Sequence, residues 1–107
     1  MTAIESSDER LWEAEVNRLA GEIVLASPGQ LPAKAQQYFE RALTVARQQQ
    51  AKSWELRAAM SLARLWRDQG KVQKARELLA PVYGWFTEGF DTRDLKEAKA
   101  LLDQLAL

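Results

Sequence analysis

Apolar residues recur at spacings of three and four along almost the whole chain, and this periodicity limits the fold more than any other feature. Ala35, Phe39, Ala42 and Ala46 are one example, and in a helix these four side chains share one face. No segment alternates apolar and polar residues with a period of two, and β-branched residues are sparse. The sequence therefore predicts an all-α fold.

Glycine and proline divide this pattern into five helical segments. Gly70 suits the left-handed turn that ends a helix, and Pro32 suits a first turn, where its missing N–H would be unpaired anyway. The turns between the segments are short, and about 100 residues is the size of one domain. We predict a single domain over 1–107 with helices at residues 7–26, 32–49, 52–69, 71–87 and 93–105.

Further local signals concern the helix ends. Ser6 and Glu9 have the spacing of a capping box, and Thr92 is a suitable N-cap for the last helix. Pro81 lies inside the fourth helix, where it removes a hydrogen bond, so we expect a kink or a break there. Gly89 is the predicted stop after that helix.

The composition excludes several classes of function. The 107 residues include no Cys and no His, which removes Ser-His-Asp triads, cysteine nucleophiles and zinc fingers. No constellation of the remaining carboxylates, Lys and Tyr indicates catalysis, so we expect no enzyme, no cofactor and no metal. The acidic N-terminus does not resemble a secretory signal, and no apolar run approaches the roughly 18 residues that cross a bilayer. We expect a cytoplasmic protein without a membrane partner.

The net charge of zero hides an uneven distribution. Residues 1–30 have a balance of −4, residues 34–76 of +7 and residues 77–107 of −3. Helices of opposite charge that stack on one another would explain this pattern. The alternative is that an anionic partner, including nucleic acid, binds the basic segment 34–76. The segment has neither a recognition helix nor an aromatic stacking motif, so we rank nucleic acid below protein as a partner.

Two helical motifs occur twice in the chain. Both combine small residues, which let helices approach closely, with large ones that fill the gaps between hairpins. Ala35-x3-Phe39-x2-Ala42-Leu43 returns forty residues later as Ala75-x3-Leu79-x2-Val82-Tyr83, and Leu19-Ala20-x2-Ile23 matches Leu62-Ala63-x2-Trp66.

One stretch resembles a tetratricopeptide repeat (TPR). The residues that carry this likeness are Leu62-Ala63-x2-Trp66-x3-Gly70-x4-Ala75-x3-Leu79-x2-Val82. The resemblance implies antiparallel helical hairpins in a short right-handed solenoid. Its parts would be a hairpin at 7–49, a second hairpin at 52–87 and a C-terminal capping helix at 93–105.

A closer likeness covers about residues 32–106. The segments 49–66, 78–92 and 94–102 look like the C-terminal repeats of large bacterial signalling proteins, which also carry a cyclase or transcription-regulator domain and an ATPase module. This chain has no Gly-x4-Gly-Lys-Ser/Thr phosphate loop, so ATP binding is not implied. The resemblance implies a non-catalytic module for protein–protein interaction or scaffolding in a bacterial signalling or regulatory system.

In tetratricopeptide repeats the first helix of each hairpin lines a concave groove. Arg57 and Arg64 are seven residues apart and share a helix face, and guanidinium groups suit carboxylates. The expected partner is therefore an acidic or C-terminal peptide segment, and the alternative is a solvated face paired with neighbours such as Glu55 and Asp68. The resemblance places these residues in the groove: Asn17, Arg18, Arg57, Met60, Ser61, Arg64 and Arg67.

The first hairpin has an outer face that further repeats would cover in a longer solenoid. Two hairpins are fewer than the roughly three repeats that a stable solenoid needs, so we expect either self-association through the N-terminal hairpin or marginal stability. Exposed Leu11, Trp12 or Val16 would mark the associating face.

The other tryptophans and the acidic loop have structural interpretations. Trp66 takes the aromatic position between helices, and Trp54 and Trp85 are predicted to pack as well. Asp91, Asp94 and Glu97 could suggest a metal or acid–base cluster, but calcium loops need a denser run of oxygen ligands. We instead expect Phe90 to pack back on Phe86 or Trp85, and Asp94 to complement the dipole of the last helix.

Overall fold

The computed structural model describes residues 2–27, 29, 31–86 and 92–106, with side chains from Trp12 onward. No strand occurs in these ranges, and the prediction of an all-α fold is confirmed. Consecutive helices are joined by short connections. The helices are α1 (Thr2–Ala26), α2 (Pro32–Gln48), α3 (Lys52–Asp68), α4 (Val72–Gly84) and α5 (Arg93–Leu105).

Helix α1 begins at Thr2, five residues before the predicted start. Ser6 therefore lies inside the helix, and its predicted role as an N-cap is wrong. The segment 2–6 contains neither glycine nor proline, so nothing in the sequence stops the helix from extending toward its N-terminus.

Helix α4 ends at Gly84, three residues before the predicted end, and it continues through Pro81. Of the two predicted alternatives at Pro81, a kink or a break, the break does not occur. The last turn is tightened by two bonds of the i→i−3 type, in which the N–H groups of Trp85 and Phe86 donate to the carbonyls of Val82 and Tyr83, both at 3.2 Å. The predictions for Gly89, Phe90 and Asp91, and that for the side chain of Leu11, concern parts of the chain outside those that the structure describes.

The α2–α3 and α3–α4 turns share one geometry. The Lys71 N–H donates to the Trp66 carbonyl at 2.7 Å, and the Ala51 N–H donates to the Ala46 carbonyl at 2.9 Å, as in a Schellman motif. Gly70 has φ +81°, which confirms its predicted role. The first turn lies where the predicted helices 32–49 and 52–69 placed it, and Gln50 holds the equivalent left-handed position, with φ +55°, without a glycine to mark it.

The helices lie in two layers. Helices α1, α3 and α5 contact one another in order, whereas α2 packs against α1 and α3, and α4 packs against α3 and α5. The shortest dimension of the molecule is 19 Å, which is about two helix diameters. One layer therefore contains the odd-numbered helices and the other contains the even-numbered helices.

The main core lies between α2, α3, α4 and α5. Phe39, Leu62 and Leu79 are its centre, and Trp66 is buried as predicted. Trp54 packs against a smaller cluster of Ala14, Val45 and Ala46. Trp85 remains 46% exposed, so its predicted packing is wrong. It follows Gly84 at the end of α4, whereas the next residue, Phe86, packs partly buried against the core.

Helix α1 uses a face of small residues to contact α2. Ala14 is buried, and Gly21 approaches Phe39 so closely that a Cβ atom there would lie 2.5 Å from the Phe39 Cε1. Val24 and Leu25 pack partly buried against the main core, whereas four other large apolar residues of α1 face away from it. The repeat alignment matches Leu19 and Ile23 with buried Leu62 and Trp66, yet the structure leaves them exposed together with Trp12 and Val16.

Candidate functional site

Three helices of the odd-numbered layer form an open groove of about 230 Å³. Four of the seven residues that the sequence predicted for a groove lie in its wall, and α5 supplies the rest. The groove is lined by Arg18, Arg57, Met60, Arg64, Arg93, Asp94 and Glu97.

The other three predicted residues lie elsewhere. Asn17 donates its side-chain amide to the carbonyl of Glu13 in the same helix, at 2.8 Å. Ser61 is 1% exposed, and its Oγ lies 3.5 Å from the Arg18 Nη1. Arg67 lines a neighbouring depression and contacts Asp68 and Gln104, at 3.1 and 2.8 Å. The predicted set is therefore brought together only in part.

Arg57 joins three helices through its guanidinium group. Its Nε donates to the Asp94 Oδ2 at 2.9 Å, and its Nη1 lies 3.5 Å from the Glu15 Oε2. The same group lies over the ring of Trp54, 5.2 Å from the centroid. We call these residues the Glu15–Arg57–Asp94 network. It fixes Arg57 in place, so this side chain is part of the groove wall.

Arg18 is held just as firmly on the α1 side. Its Nε and Nη2 donate to the two carboxylate oxygens of Glu15 at 2.8 and 2.7 Å, a bidentate pair. This hydrogen bonding raises the pKa of Arg18, and it outweighs the opposing effect of burial. Arg18 therefore stays charged over the whole ordinary pH range, and Glu15 keeps a partner although it is only 8% exposed.

Arg64 has the weakest internal partner in the groove. Its Nη2 lies 3.7 Å from the Glu97 Oε2, and the two side chains are 37% and 41% exposed. Glu97 also accepts a hydrogen bond from the Arg93 Nε at 3.0 Å. An incoming carboxylate could replace Glu97 at Arg64 at small cost, because an exposed pair of this length contributes little.

Part of the basic charge of segment 34–76 is paired with carboxylates of the described chain, at Arg47, Arg57, Arg64 and Arg67. Arg57 and Arg64 pair with carboxylates of α1 and α5, and Arg47 donates to buried Glu55 at 2.8 Å. Asp68 pairs with Arg67, as the sequence suggested, whereas Glu55 is occupied by Arg47. The pairs that Arg57 and Arg64 form with α1 and α5 support the interpretation in which helices of opposite charge stack on one another.

Neither Glu15 nor any α5 residue was predicted to line the groove. The acidic balance of both chain ends was the only signal for them, because spacing within one helix says nothing about a partner 37 residues away. Arg57 and its partner Asp94 are separated by these 37 residues in the sequence. Only the packing of α5 on α3 brings the two together.

A second set of cations lies outside this groove. Lys34, Arg41, Lys52 and Lys71 are exposed, and in the part of the chain that the structure describes none has a carboxylate within 4 Å. Lys34 and Arg41 line a shallow surface cavity of about 260 Å³ on α2, together with Gln37 and Tyr38. These are the cations of the basic segment that are free to meet an anion.

The start of α5 is built as a helix cap. The Thr92 Oγ1 accepts a hydrogen bond from the Leu95 N–H at 3.4 Å, and Asp94 lies in the first turn, so the capping prediction for Thr92 is confirmed. Among the described side chains, which begin at Trp12, no group of three His, Cys, Asp or Glu could hold a metal ion. Within residues 2–27, 29, 31–86 and 92–106, no helix is long and apolar enough to cross a membrane.

No family model, no curated protein and no solved structure matches this chain. The resemblance to tetratricopeptide repeats and to bacterial signalling proteins therefore stays a prediction from the sequence. What the protein does has to be argued from the chemistry of its own surfaces.

Proposed function

We propose that the protein is a non-catalytic module for protein–protein interaction and that its groove holds an extended, acidic peptide segment. One observation carries this proposal: Arg18, Arg57, Met60 and Arg64, which the sequence predicted for a groove, converge with α5 around one open cleft. The cleft is polar and shallow, which suits an extended segment better than a small apolar ligand.

The residues of the groove have different tasks in this proposal. Arg18 and Arg57 are engaged with Glu15 and Asp94, so they shape the wall. Arg64 exchanges Glu97 for a carboxylate of the peptide. Its planar guanidinium group can donate two parallel hydrogen bonds to that carboxylate. Arg93, which is 90% exposed, adds positive charge at the same end of the groove.

A solenoid like that of tetratricopeptide repeats is part of the proposal. The repeated motifs and the contacts among α1, α3 and α5 support it, because the first helices of successive hairpins line the groove in that family. The likeness of residues 32–106 to the repeats of bacterial signalling proteins supports a role in a signalling or regulatory assembly. The cysteine-free sequence favours the cytoplasm as its compartment.

The test is capture of partners by the immobilised chain from lysate of the source cell, with nuclease added. Arg64→Glu should lose at least about 10-fold of any groove-bound partner, because it places a carboxylate where the peptide carboxylate binds. Arg41→Glu is the matched control, since it makes the same charge change on exposed α2 outside the groove. Circular dichroism checks that both variants are helical.

Equal retention of every partner by Arg64→Glu and the native chain would contradict the groove proposal. Loss of a partner by Arg41→Glu alone would contradict it as well, and it would move the binding site to α2.

Polyanion binding is the second candidate function, and the unpaired cations Lys34, Arg41 and Lys71 are the observation that favours it. A fluorescent single-stranded DNA titrated at several salt concentrations tests it. Binding through three phosphate contacts predicts a slope of about −2 in a plot of log affinity against log salt. Lys34→Gln/Arg41→Gln should flatten that slope, and the absence of binding at low salt contradicts this candidate.

A further inference from the structure

Four large apolar side chains of α1 lie in one exposed row, which we call the apolar seam: Trp12, Val16, Leu19 and Ile23. They are 62%, 59%, 44% and 66% exposed, and their spacing of four, three and four residues places them along one helix face. The other exposed large apolar residues of the described chain, Leu31 and Trp85, occur singly. A contiguous row of this kind marks an association surface.

The repeat shows what this face does elsewhere in the same molecule. A shift of 43 residues places the seam on Glu55, Ala59, Leu62 and Trp66 of α3, and all four are buried. Glu55 and Trp66 contact Arg47 and Gln36 of α2, so this face of α3 packs against a neighbouring helix. Among the described residues, no helix packs along the same face of α1, and its one ring contact is at its N-terminal end, where the Trp12 ring centroid lies 6.2 Å from that of Trp54 in α3.

Head-to-tail stacking of copies would leave the seam poorly covered. At the opposite end of the layer, α5 carries exposed Lys96, Lys99 and Asp103 around a surface cavity that Tyr83 and Leu95 also line. Lys99 and Asp103 form an ion pair at 3.3 Å there. A heterologous contact needs a complementary apolar surface elsewhere on the molecule. The seam is the only row of large apolar side chains on the described surface, so its best complement is a second seam.

We propose that the apolar seam is the interface of a two-fold symmetric dimer in which α1 packs antiparallel against α1 of a second copy. Five of the six acidic residues of segment 1–30 lie between Glu5 and Glu15. An antiparallel pair separates these acidic ends and opposes the helix dipoles, whereas a parallel pair would place them side by side. In this arrangement Trp12 faces Ile23 of the second copy, and Val16 faces its Leu19.

The size of the seam sets the strength of the dimer. The exposed parts of its four side chains amount to roughly 450 Å² per copy, given the usual areas of aromatic and aliphatic side chains. Two copies would bury about 900 Å² from these side chains alone, which is below the roughly 1,200 Å² of a standard stable interface. We therefore expect a dissociation constant on the order of 10 µM.

Sedimentation equilibrium of the whole chain from about 1 to 500 µM, which spans this constant, tests the dimer. The mass should rise from 12.1 kDa toward twice that value. Leu19→Glu/Ile23→Glu should weaken association at least about 100-fold, because two carboxylates would enter an apolar contact. Both residues are exposed in the single copy, so helicity should be unchanged.

Leu31→Glu/Trp85→Glu is the matched control, since it places two carboxylates at apolar residues that are 57% and 46% exposed outside the seam. It should dimerise like the native chain. A native chain that stays at 12.1 kDa throughout would overturn the proposal, and so would a dimer that survives the seam variant.

Disulfide crosslinking tests the antiparallel arrangement, because the chain has no cysteine of its own. A mixture of Trp12→Cys and Ile23→Cys should form a mixed disulfide. Neither variant should crosslink to itself, since like positions would be about 16 Å apart along the helix and a disulfide needs Cα atoms within about 7 Å. Self-crosslinking of Ile23→Cys would indicate a parallel pair and overturn the arrangement.

The proposal concerns a different surface from the groove, so the two can fail separately. Arg64→Glu leaves the seam intact and should dimerise normally. The seam variant leaves the groove intact, and it should still retain a groove-bound partner.

Discussion

At the scale of single residues, Gln50 shows how a turn can differ from its sequence pattern. It holds the left-handed position of a Schellman motif, with φ +55°, where Gly70 stands in the next turn. In the left-handed region the Cβ atom of a residue clashes with the backbone, which costs about 1–2 kcal/mol. Glycine has no Cβ atom and avoids this clash. The α2–α3 turn is therefore strained at one residue.

Gln50→Gly should raise the free energy of unfolding by about 0.5–1 kcal/mol, because relief of the clash exceeds the added entropy of the unfolded chain. Gln49→Gly is the control, since Gln49 has a helical φ of −85° and gains nothing from glycine. It should lower stability by about 0.5–1 kcal/mol. Urea denaturation measures both, and a loss of stability in Gln50→Gly would contradict the strain.

At the scale of helices, the contact between α1 and α2 depends on one glycine. Gly21 is buried and faces the ring of Phe39, so no Cβ fits between them without movement. This close approach orients α1 with its small residues inward and its seam outward. The lack of space beside Phe39 thus decides that the apolar seam of α1 faces outward.

Gly21→Ala should destabilise the protein by about 1–2 kcal/mol, because overpacking against Phe39 outweighs the gain in helix propensity. Gly84→Ala, also within a helix but with open space around it, should leave stability unchanged or raise it by up to about 1 kcal/mol. Thermal unfolding of the two variants distinguishes them. Equal melting temperatures would show that α1 does not approach Phe39 this closely.

At the scale of the whole molecule, charge pairs join helices that are distant in sequence. The Glu15–Arg57–Asp94 network links α1, α3 and α5 across one surface of the molecule. Arg57 and Arg64 of the basic middle thereby pair with carboxylates of the acidic ends, Glu15, Asp94 and Glu97.

Asp94→Asn should loosen α5, because it removes both the ion pair with Arg57 and a favourable charge at the start of the helix. Arg57 is 40% exposed, so we expect a loss of only about 1 kcal/mol. Asp103→Asn is the control, since its pair with Lys99 is exposed and lies within α5. Hydrogen exchange in α5 should accelerate in the first variant alone, and equal rates would contradict the network.

Local patterns sufficed for the helices and for most of the core. The spacing of small and large residues in α2, α3 and α4 identified Phe39, Leu62 and Leu79, which are fully buried. Gly70 and Thr92 were correctly identified as turn and cap residues, because each interaction involves neighbours in the chain. The start of α1 and the end of α4 were misplaced, since those helix ends carry no decisive stop signal.

Interactions over a few residues make this chain helical, place most of its helices and select the buried faces of α2 to α5, so local sequence patterns predict all three. Long-range packing sets which side of α1 faces inward and which carboxylates meet Arg57 and Arg64. Those outcomes depend on the approach of α1 to Phe39 and on the packing of α5 against α3, and both contacts join parts of the chain that periodicity alone does not relate.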